Sequence, residues 1–159
     1  MHMRGQEERH FGVRIQHIEG FKFTSQAFEG DVLHGVPLLS DEPDPIGSNA
    51  GPSTPAMLAT AVGHCLSASL VETLRHAGIH VTSLTTEAIA VVAPNEEGNP
   101  RIRRIEVCIR PVVPKESGNI KRCIDVFENY CTVCQSIRPA IPVTVEVAYV
   151  VRAPEAATA

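Results

Sequence analysis

The sequence predicts an α+β domain with N-terminal strands and two main helices packed on a mixed or antiparallel β-sheet. Several stretches alternate apolar and polar residues, as strands do, and two stretches repeat apolar residues every three or four positions, as helices do. A chain of 159 residues is long enough for one hydrophobic core. We expect residues 1–10 to be flexible, residues 11–152 to form a single domain and residues 153–159 to be a disordered tail.

The N-terminal part of the chain predicts a β-hairpin and a third strand. Residues 11–18 and 21–28 have strand character, and the Glu-Gly pair between them suits a tight turn. Residues 32–39 continue this character. Residues 41–55 are dense in Pro, Gly, Ser, Asn and Asp, so a loop with several turns is expected there.

The first helix has the clearest boundaries. Thr54 is suited to the N-cap and Pro55 to the first helical position, where a missing N–H removes no hydrogen bond. Gly78 is expected to end the helix in a left-handed conformation. Small residues crowd the middle of the helix, around Cys65, and they allow another backbone to come close.

The second half of the chain predicts two strands, a helix and a last strand. Residues 81–93 are rich in Val, Ile and Thr, and residues 102–113 alternate apolar with charged side chains, so one face of that strand is exposed to water. Residues 119–130 carry an apolar helical stripe, and Cys131 is expected on the same side. Residues 143–151 predict the last strand. These apolar faces exceed what a small monomer covers, which favours a homodimer.

Composition excludes several classes of function. The net charge is −4 and the chain has two Tyr, five Phe and no Trp, so neither a basic patch nor a stacking platform for nucleic acid is expected. The polar N-terminus is not a secretory signal, and no stretch is expected to span a membrane, so a cytoplasmic location is predicted. An odd number of cysteines, five, in that reducing compartment favours redox or metal chemistry over a disulfide framework.

Two cysteines are predicted to face the core from different helices. Cys65 lies on the apolar stripe of the first helix, and Cys131 lies on that of the second. Two such thiols can meet, and a disulfide becomes possible if their Cα atoms come within about 7 Å. The alternative interpretation is that each is an inert, packed thiol. His64 is a poor catalytic partner for Cys65, because adjacent helical side chains point about 100° apart.

Cys131 and Cys134 form a Cys-x-x-Cys pair with three interpretations. A zinc half-site needs a second pair, for which Cys123 and scattered histidines are the only close candidates, so a metal site is weakly supported. A thioredoxin-like motif follows the first strand of a βαβ unit, whereas this pair follows a late helix. A local redox pair stays open.

Three segments of the chain resemble the OsmC/Ohr family, and in particular its YhfA-like branch. In residues 39–69 a Gly-Pro-rich loop leads into a Leu/Ala-rich helix that carries Gly63-His64-Cys65. Residues 129–143 resemble the second family motif, a Cys-Pro-Val-Ser-like block before a final strand, with Cys131 and Val133 matching. Residues 18–33 resemble the family's Glu-Gly…Phe hairpin.

The resemblance implies an intertwined homodimer and a peroxiredoxin-like organic hydroperoxide reductase of the oxidative or osmotic stress response. By position, Cys65 would attack the organic hydroperoxide and become a sulfenic acid, and Cys131 would condense with it to a disulfide that an external dithiol reduces. Peroxidase members also use an arginine and a glutamate, for which Arg14 and Glu42 are the candidates here. Cys134 is a further auxiliary candidate, and no cofactor or metal is implied.

Two other functions are compatible with the same residues. One is an OsmC-fold protein without peroxidase activity that binds a small apolar ligand. The other is a thiol switch that uses Cys131 and Cys134. A reactive Cys65 would select the peroxidase, and an inert Cys65 would select the binding protein.

Overall fold

The computed structural model describes residues 8–153, so the predictions for residues 1–7 and 154–159 lie outside the described part. The chain divides into two compact units, with the boundary in sequence between Met57 and Leu58. Three strands precede the first helix, as the sequence predicts; two strands, a group of short helices and two further strands follow it.

The N-terminal unit contains a three-stranded antiparallel sheet. Its strands are β1 (Gly12–Glu19), β2 (Lys22–Glu29) and β3 (Val32–Ser40), in the spatial order β1-β2-β3. Gly20 and Gly30 lie in the two turns with φ of +54° and +57°, a conformation that glycine adopts without strain. The predicted hairpin and third strand are thus confirmed.

Asp41, the residue after β3, organises the loop that follows. Its buried carboxylate accepts hydrogen bonds from the N–H groups of Glu42 (2.9 Å), Ser48 (2.9 Å) and Ala50 (3.1 Å), and from the Ser48 hydroxyl (2.8 Å). Burial raises the pKa of Asp41, but these hydrogen bonds outweigh burial and lower it to about 2. A Cβ at Gly47 would lie 2.6 Å from the Asp41 Oδ1 atom, so this loop requires a glycine there.

Helix α1 (Thr54–His76) matches the predicted first helix. The predicted N-cap, Thr54, lies one residue inside it, because the N–H of Met57 donates to the carbonyl of Ser53 (2.9 Å) and closes the first turn one residue earlier. The C-terminus ends as predicted at Gly78, which has a φ of +74°.

The end of α1 is fixed by two backbone hydrogen bonds. The N–H of Ile79 donates to the carbonyl of Leu74 (2.9 Å), and the N–H of Gly78 donates to that of Arg75 (3.0 Å). This is the pattern of a Schellman motif. It turns the chain so that Ile79 is buried in the same apolar cluster as Leu74.

In length and composition α1 is apolar enough to cross a membrane. The prediction that no stretch is long and apolar enough to span a membrane is therefore wrong. The small Ala, Gly and Ser residues in the middle of α1 carry no charge, so they do not lower its hydropathy enough to exclude it. Its apolar stripe, however, is completely or almost completely buried in the protein, which is typical of a core helix. The stripe consists of Val62, Leu66, Leu70 and Leu74.

The C-terminal unit contains a mixed sheet. Strands β4 (Ser83–Pro94) and β5 (Pro100–Val113) pair antiparallel, and β6 (Val143–Val147) and β7 (Val150–Val151) both pair with β5 in parallel. The predicted last strand over residues 143–151 is therefore interrupted. As predicted, alternate residues of β5 are buried, and they contribute Ile105, Val107 and Ile109 to the core.

The helix predicted over residues 119–130 is divided. Helix α2 spans Ile120–Val126, a 3₁₀ turn spans Phe127–Tyr130, and helix α3 spans Thr132–Ile137. Between them Cys131 is extended, with φ −81° and ψ 104°, so the predicted helix is broken there. The Cys131 side chain is still buried in the same apolar cluster as those of α2, on the predicted side. Phe127 in the 3₁₀ turn is nevertheless buried, which is why the apolar pattern extends past the end of α2.

Candidate active site

Cys65 and Cys131 lie together in the C-terminal unit. The Cys131 thiol is fully buried and lies beside the thiol of Cys65, which is half-buried on α1. Both belong to, or pack against, the same apolar cluster. Neither is in a disulfide, so the structure shows two reduced thiols in contact.

The position of Cys65 depends on Gly63, two residues earlier in α1. A Cβ at Gly63 would lie 3.0 Å from the Cβ of Ala88 on β4, so a side chain there would push helix and strand apart. Close by, the Ser67 hydroxyl bonds to the Gly63 carbonyl (2.7 Å) and to the Thr86 hydroxyl (2.6 Å). The glycine of Gly63-His64-Cys65 thus has a packing role, whereas His64 itself is exposed.

The two thiols differ in accessibility, and burial has a large effect on the Cys131 thiol. Burial raises the pKa of Cys131 well above its usual range, and the hydrogen bond to Cys65 raises it further. Cys131 therefore keeps its proton at neutral pH. Cys131 has no exposed surface, whereas Cys65 is partly exposed, so Cys65 is the more accessible residue of the pair.

Cys134 is a third thiol beside this pair. Cys131 is the N-cap of α3, and its sulfur accepts a hydrogen bond from the N–H of Cys134 (3.4 Å). Cys134 is fully buried, and burial raises the pKa of its thiol. The nearby Arg138 acts in the opposite direction.

The ion pair of Arg138 and Glu128 is the feature that the sequence analysis missed. An Nη2 atom of Arg138 donates to the Glu128 carboxylate, and both side chains are about one-third exposed. Arg138 lies one helical turn after Cys134, at the (i, i+4) spacing that places two side chains on one face. The spacing from Cys134 to Arg138 is the sequence signal that places a cation near this thiol. Nothing in the sequence indicates that Arg138 pairs with Glu128, ten residues earlier.

The two auxiliary candidates from the resemblance lie in the N-terminal unit. Arg14, on β1, is exposed and its guanidinium lies 5.7 Å from the ring centre of Phe28. Glu42 is half-buried in the loop after β3, where its N–H donates to Asp41 and its carbonyl accepts from Asn49. The assignment of these two residues to the site stays a prediction.

The remaining cysteines have separate surroundings. Cys123, on α2, is buried, and its sulfur contacts the carbonyl of Thr73 on α1 at 3.8 Å. Cys108 is half-buried on β5, in a shallow pocket with three glutamates. Within residues 8–153, no three His, Cys, Asp or Glu side chains are placed to hold a metal ion.

A groove of about 610 Å³ runs between α1 and β4. Its walls are mainly small and apolar, with Gly63, Ala68, Val71 and Leu84 among them. Cys65 is not one of the lining residues. The groove is therefore separate from the paired thiols. It is lined by Gly63 and Ala88, the residues at which α1 comes closest to β4.

The mixed sheet and the thiol pair define an α+β protein with a paired-cysteine site. Residues 47–146 match the family described as OsmC-like protein. The chain belongs to the OsmC-like protein family, which confirms the resemblance and the predicted fold class. No protein of curated function matches the chain in sequence.

Solved structures of low sequence identity share this fold. An OsmC-like protein from Mycoplasma pneumoniae is 15% identical with a TM-score of 0.71, over 92% of this chain and 99% of that one. An organic hydroperoxide resistance protein from Elizabethkingia anophelis is 16% identical with a TM-score of 0.67, over 92% and 100%. The organic hydroperoxide resistance protein OhrB of Bacillus subtilis is 14% identical with a TM-score of 0.60, over 88% and 98%.

Proposed function

We propose that this chain is a thiol-dependent peroxidase that reduces organic hydroperoxides. The observation that carries the proposal is the contact between the Cys65 and Cys131 thiols, one accessible and one buried. Two structures of similar fold are named organic hydroperoxide resistance proteins, which supports this substrate class. The apolar surroundings of Cys65 favour an organic hydroperoxide over hydrogen peroxide.

The first step is attack by the Cys65 thiolate on the outer oxygen of the hydroperoxide. The O–O bond breaks, the alcohol leaves after taking a proton, and Cys65 becomes a sulfenic acid. The Cys131 sulfur then attacks the Cys65 sulfur and loses its proton. The S–O bond breaks, water leaves and a disulfide forms. Because the Cys131 thiol already contacts Cys65, little movement is needed for this second step.

An external dithiol completes the cycle by reducing the disulfide through thiol–disulfide exchange. One of its sulfurs attacks a sulfur of the Cys65–Cys131 bond, which forms a mixed disulfide and releases the other protein thiol. Its second sulfur then attacks the mixed disulfide and releases the remaining protein thiol. The half-buried Cys65 is the sulfur that such a reductant reaches. This reductant and the cytoplasmic location stay predictions from the sequence.

One equivalent of cumene hydroperoxide is expected to remove two thiols per chain from the fully reduced protein. The physical reason is that one oxygen transfer is followed by condensation with the neighbouring thiol. Thiol titration before and after the reaction gives the count, and peptide mapping is expected to show a Cys65–Cys131 link. Dithiothreitol should restore both thiols.

The control is the Cys108→Ser variant, in which a cysteine away from the pair is removed. It should lose the same two thiols at the same rate. Thiol loss no faster than that of a free thiol would contradict the peroxidase. In that case the apolar-ligand binding protein would take its place, with the groove between α1 and β4 as its candidate site.

The N-terminal sheet supports a homodimer. Apolar side chains on one face of its strands are exposed in the single chain, with Val13 at 56%, Ile15 at 64% and Leu38 at 47%. Register places Ile15 opposite Ser25 and Ser25 opposite Leu38, so these residues share one face. An apolar face of this kind is usually covered by a partner.

Sedimentation velocity at micromolar concentration is expected to give the mass of two chains. The double variant Val13→Lys, Ile15→Lys should shift the protein towards the monomer, because it places charges on the covered face. A wild-type protein that sediments as a monomer would contradict the dimer without affecting the thiol chemistry.

A further inference from the structure

The proposed peroxidase uses two thiols, yet the structure places a third within reach. Cys134 is one turn after Cys131, and its N–H bonds to the Cys131 sulfur at 3.4 Å. Cys131 and Cys134 have no exposed surface, and Cys65 contacts Cys131 from α1. Cys131 thus has a thiol neighbour on either side.

Local structure suits a bond between Cys131 and Cys134. Cys131 is extended just before α3 and Cys134 lies in its first turn, so both side chains lie at the same end of the helix. In redox proteins, cysteines with this Cys-x-x-Cys spacing at the start of a helix interconvert between dithiol and disulfide. The backbone therefore needs no large rearrangement to close the bond.

Two charged side chains near Cys134, Arg138 and Glu128, act on the pKa of its thiol in opposite directions: Arg138 lowers it and Glu128 raises it. Burial raises the pKa of the Cys134 thiol, but the guanidinium of Arg138 opposes this effect. Glu128 holds Arg138 in place through their ion pair. A cation beside a buried thiol stabilises the thiolate that forms during thiol–disulfide exchange.

We propose that Cys134 transfers the oxidation from the Cys65–Cys131 disulfide into a buried Cys131–Cys134 disulfide. The inference rests on the proposed peroxidase function. In the step, Cys134 gives up its proton and its sulfur attacks the Cys131 sulfur. The Cys131–Cys134 bond forms, the Cys65–Cys131 bond breaks, and Cys65 leaves as a thiolate that can take up the proton. The oxidising equivalents come from the hydroperoxide already consumed.

The consequence is a protein that stores one oxidation and reacts again. The released Cys65 is free to attack a second hydroperoxide, after which it stays a sulfenic acid because its resolving partner is occupied. Without reductant, one chain therefore consumes two equivalents and loses three thiols. An enzyme with only the two-cysteine cycle consumes one equivalent and loses two.

The test is a time course with two equivalents of cumene hydroperoxide and no reductant, quenched with N-ethylmaleimide. After trypsin digestion, mass spectrometry should first show the Cys65–Cys131 disulfide. This disulfide should then be replaced by a link within the single tryptic peptide of residues 123–152, because the Arg138-Pro139 bond is not cleaved. Fragment ions between Cys131 and Cys134 should be missing, whereas those between Cys123 and Cys131 remain. Dimedone should label Cys65 at the end of the reaction.

The matched variant is Cys134→Ser, which keeps a small polar side chain at the same place. It should stop at the Cys65–Cys131 disulfide, with two thiols lost and one equivalent consumed. Circular dichroism establishes that it is folded, and the wild-type time course tests the transfer without any variant.

The outcomes separate this inference from the function on which it rests. A Cys65–Cys131 disulfide that persists in the wild type, or a final link from Cys65 to Cys134, would overturn the transfer and leave the peroxidase intact. Absence of any Cys65-linked disulfide in the wild type and in Cys134→Ser, with the hydroperoxide unconsumed, would overturn the peroxidase itself.

Discussion

Replacing Cys65 by serine is expected to abolish reduction of organic hydroperoxides, with a fall in kcat/KM of about 10³-fold or more. A serine hydroxyl is not ionised at neutral pH and is a far weaker nucleophile than a thiolate. Cys131 and Cys134 do not replace it in the attack on the hydroperoxide, because both side chains are fully buried and lack the exposed surface that Cys65 has. Consumption of cumene hydroperoxide with dithiothreitol as reductant measures the loss.

The structure makes this substitution a mild one. Cys65 is half-buried, and serine differs from cysteine only by an oxygen atom in place of the sulfur. The variant should therefore unfold at nearly the same urea concentration as the wild type. The Cys108→Ser protein again serves as control and should keep full activity. A Cys65→Ser protein that still reduces hydroperoxide at the wild-type rate would remove Cys65 from the mechanism.

Replacing Cys131 by serine is expected to leave the first step and to remove the second. Cys65 should still react with one equivalent of hydroperoxide, but the sulfenic acid then lacks its neighbouring thiol and persists. Its lifetime, followed by dimedone labelling, should increase about 10²-fold, because an intramolecular reaction is replaced by slower intermolecular ones. Excess hydroperoxide should carry Cys65 on to the sulfinic acid, seen as a mass increase.

Two results would count against this role of Cys131. One is a variant in which the sulfenic acid disappears as fast as in the wild type. The other is a rapid Cys65–Cys134 disulfide, which would make Cys134 the resolving residue. Because Cys131 also caps α3, the helical content of the variant should be compared with that of the wild type.

The elements with strong local signals were predicted well from sequence. The limits of α1 follow from Pro55 and Gly78, whose backbone preferences act regardless of the rest of the fold. Strand β5 follows from its alternation, since one face is covered by the core and the other faces solvent. The fold class follows from the order of these elements.

The break between α2 and α3 was not predictable in the same way. Phe127 and Cys131 are both buried, so the apolar spacing continues although the helix has ended. Cysteine is not among the usual N-cap residues, and the sequence thus gave little sign that Cys131 begins a new helix. The Arg138–Glu128 pair depends on that break, because the chain must turn between them for the side chains to meet.

Gly63 lets the helix that carries Cys65 lie close against β4. The contact of α1 with Ala88 leaves 3.0 Å for a methyl group, so any side chain there displaces the helix by a few tenths of an ångström. A disulfide has a sulfur–sulfur distance of about 2.05 Å and tolerates little deviation. In the proposed cycle, a larger residue at position 63 would displace the helix that carries Cys65 and would thereby hinder the closing of a bond with such a narrow range of lengths.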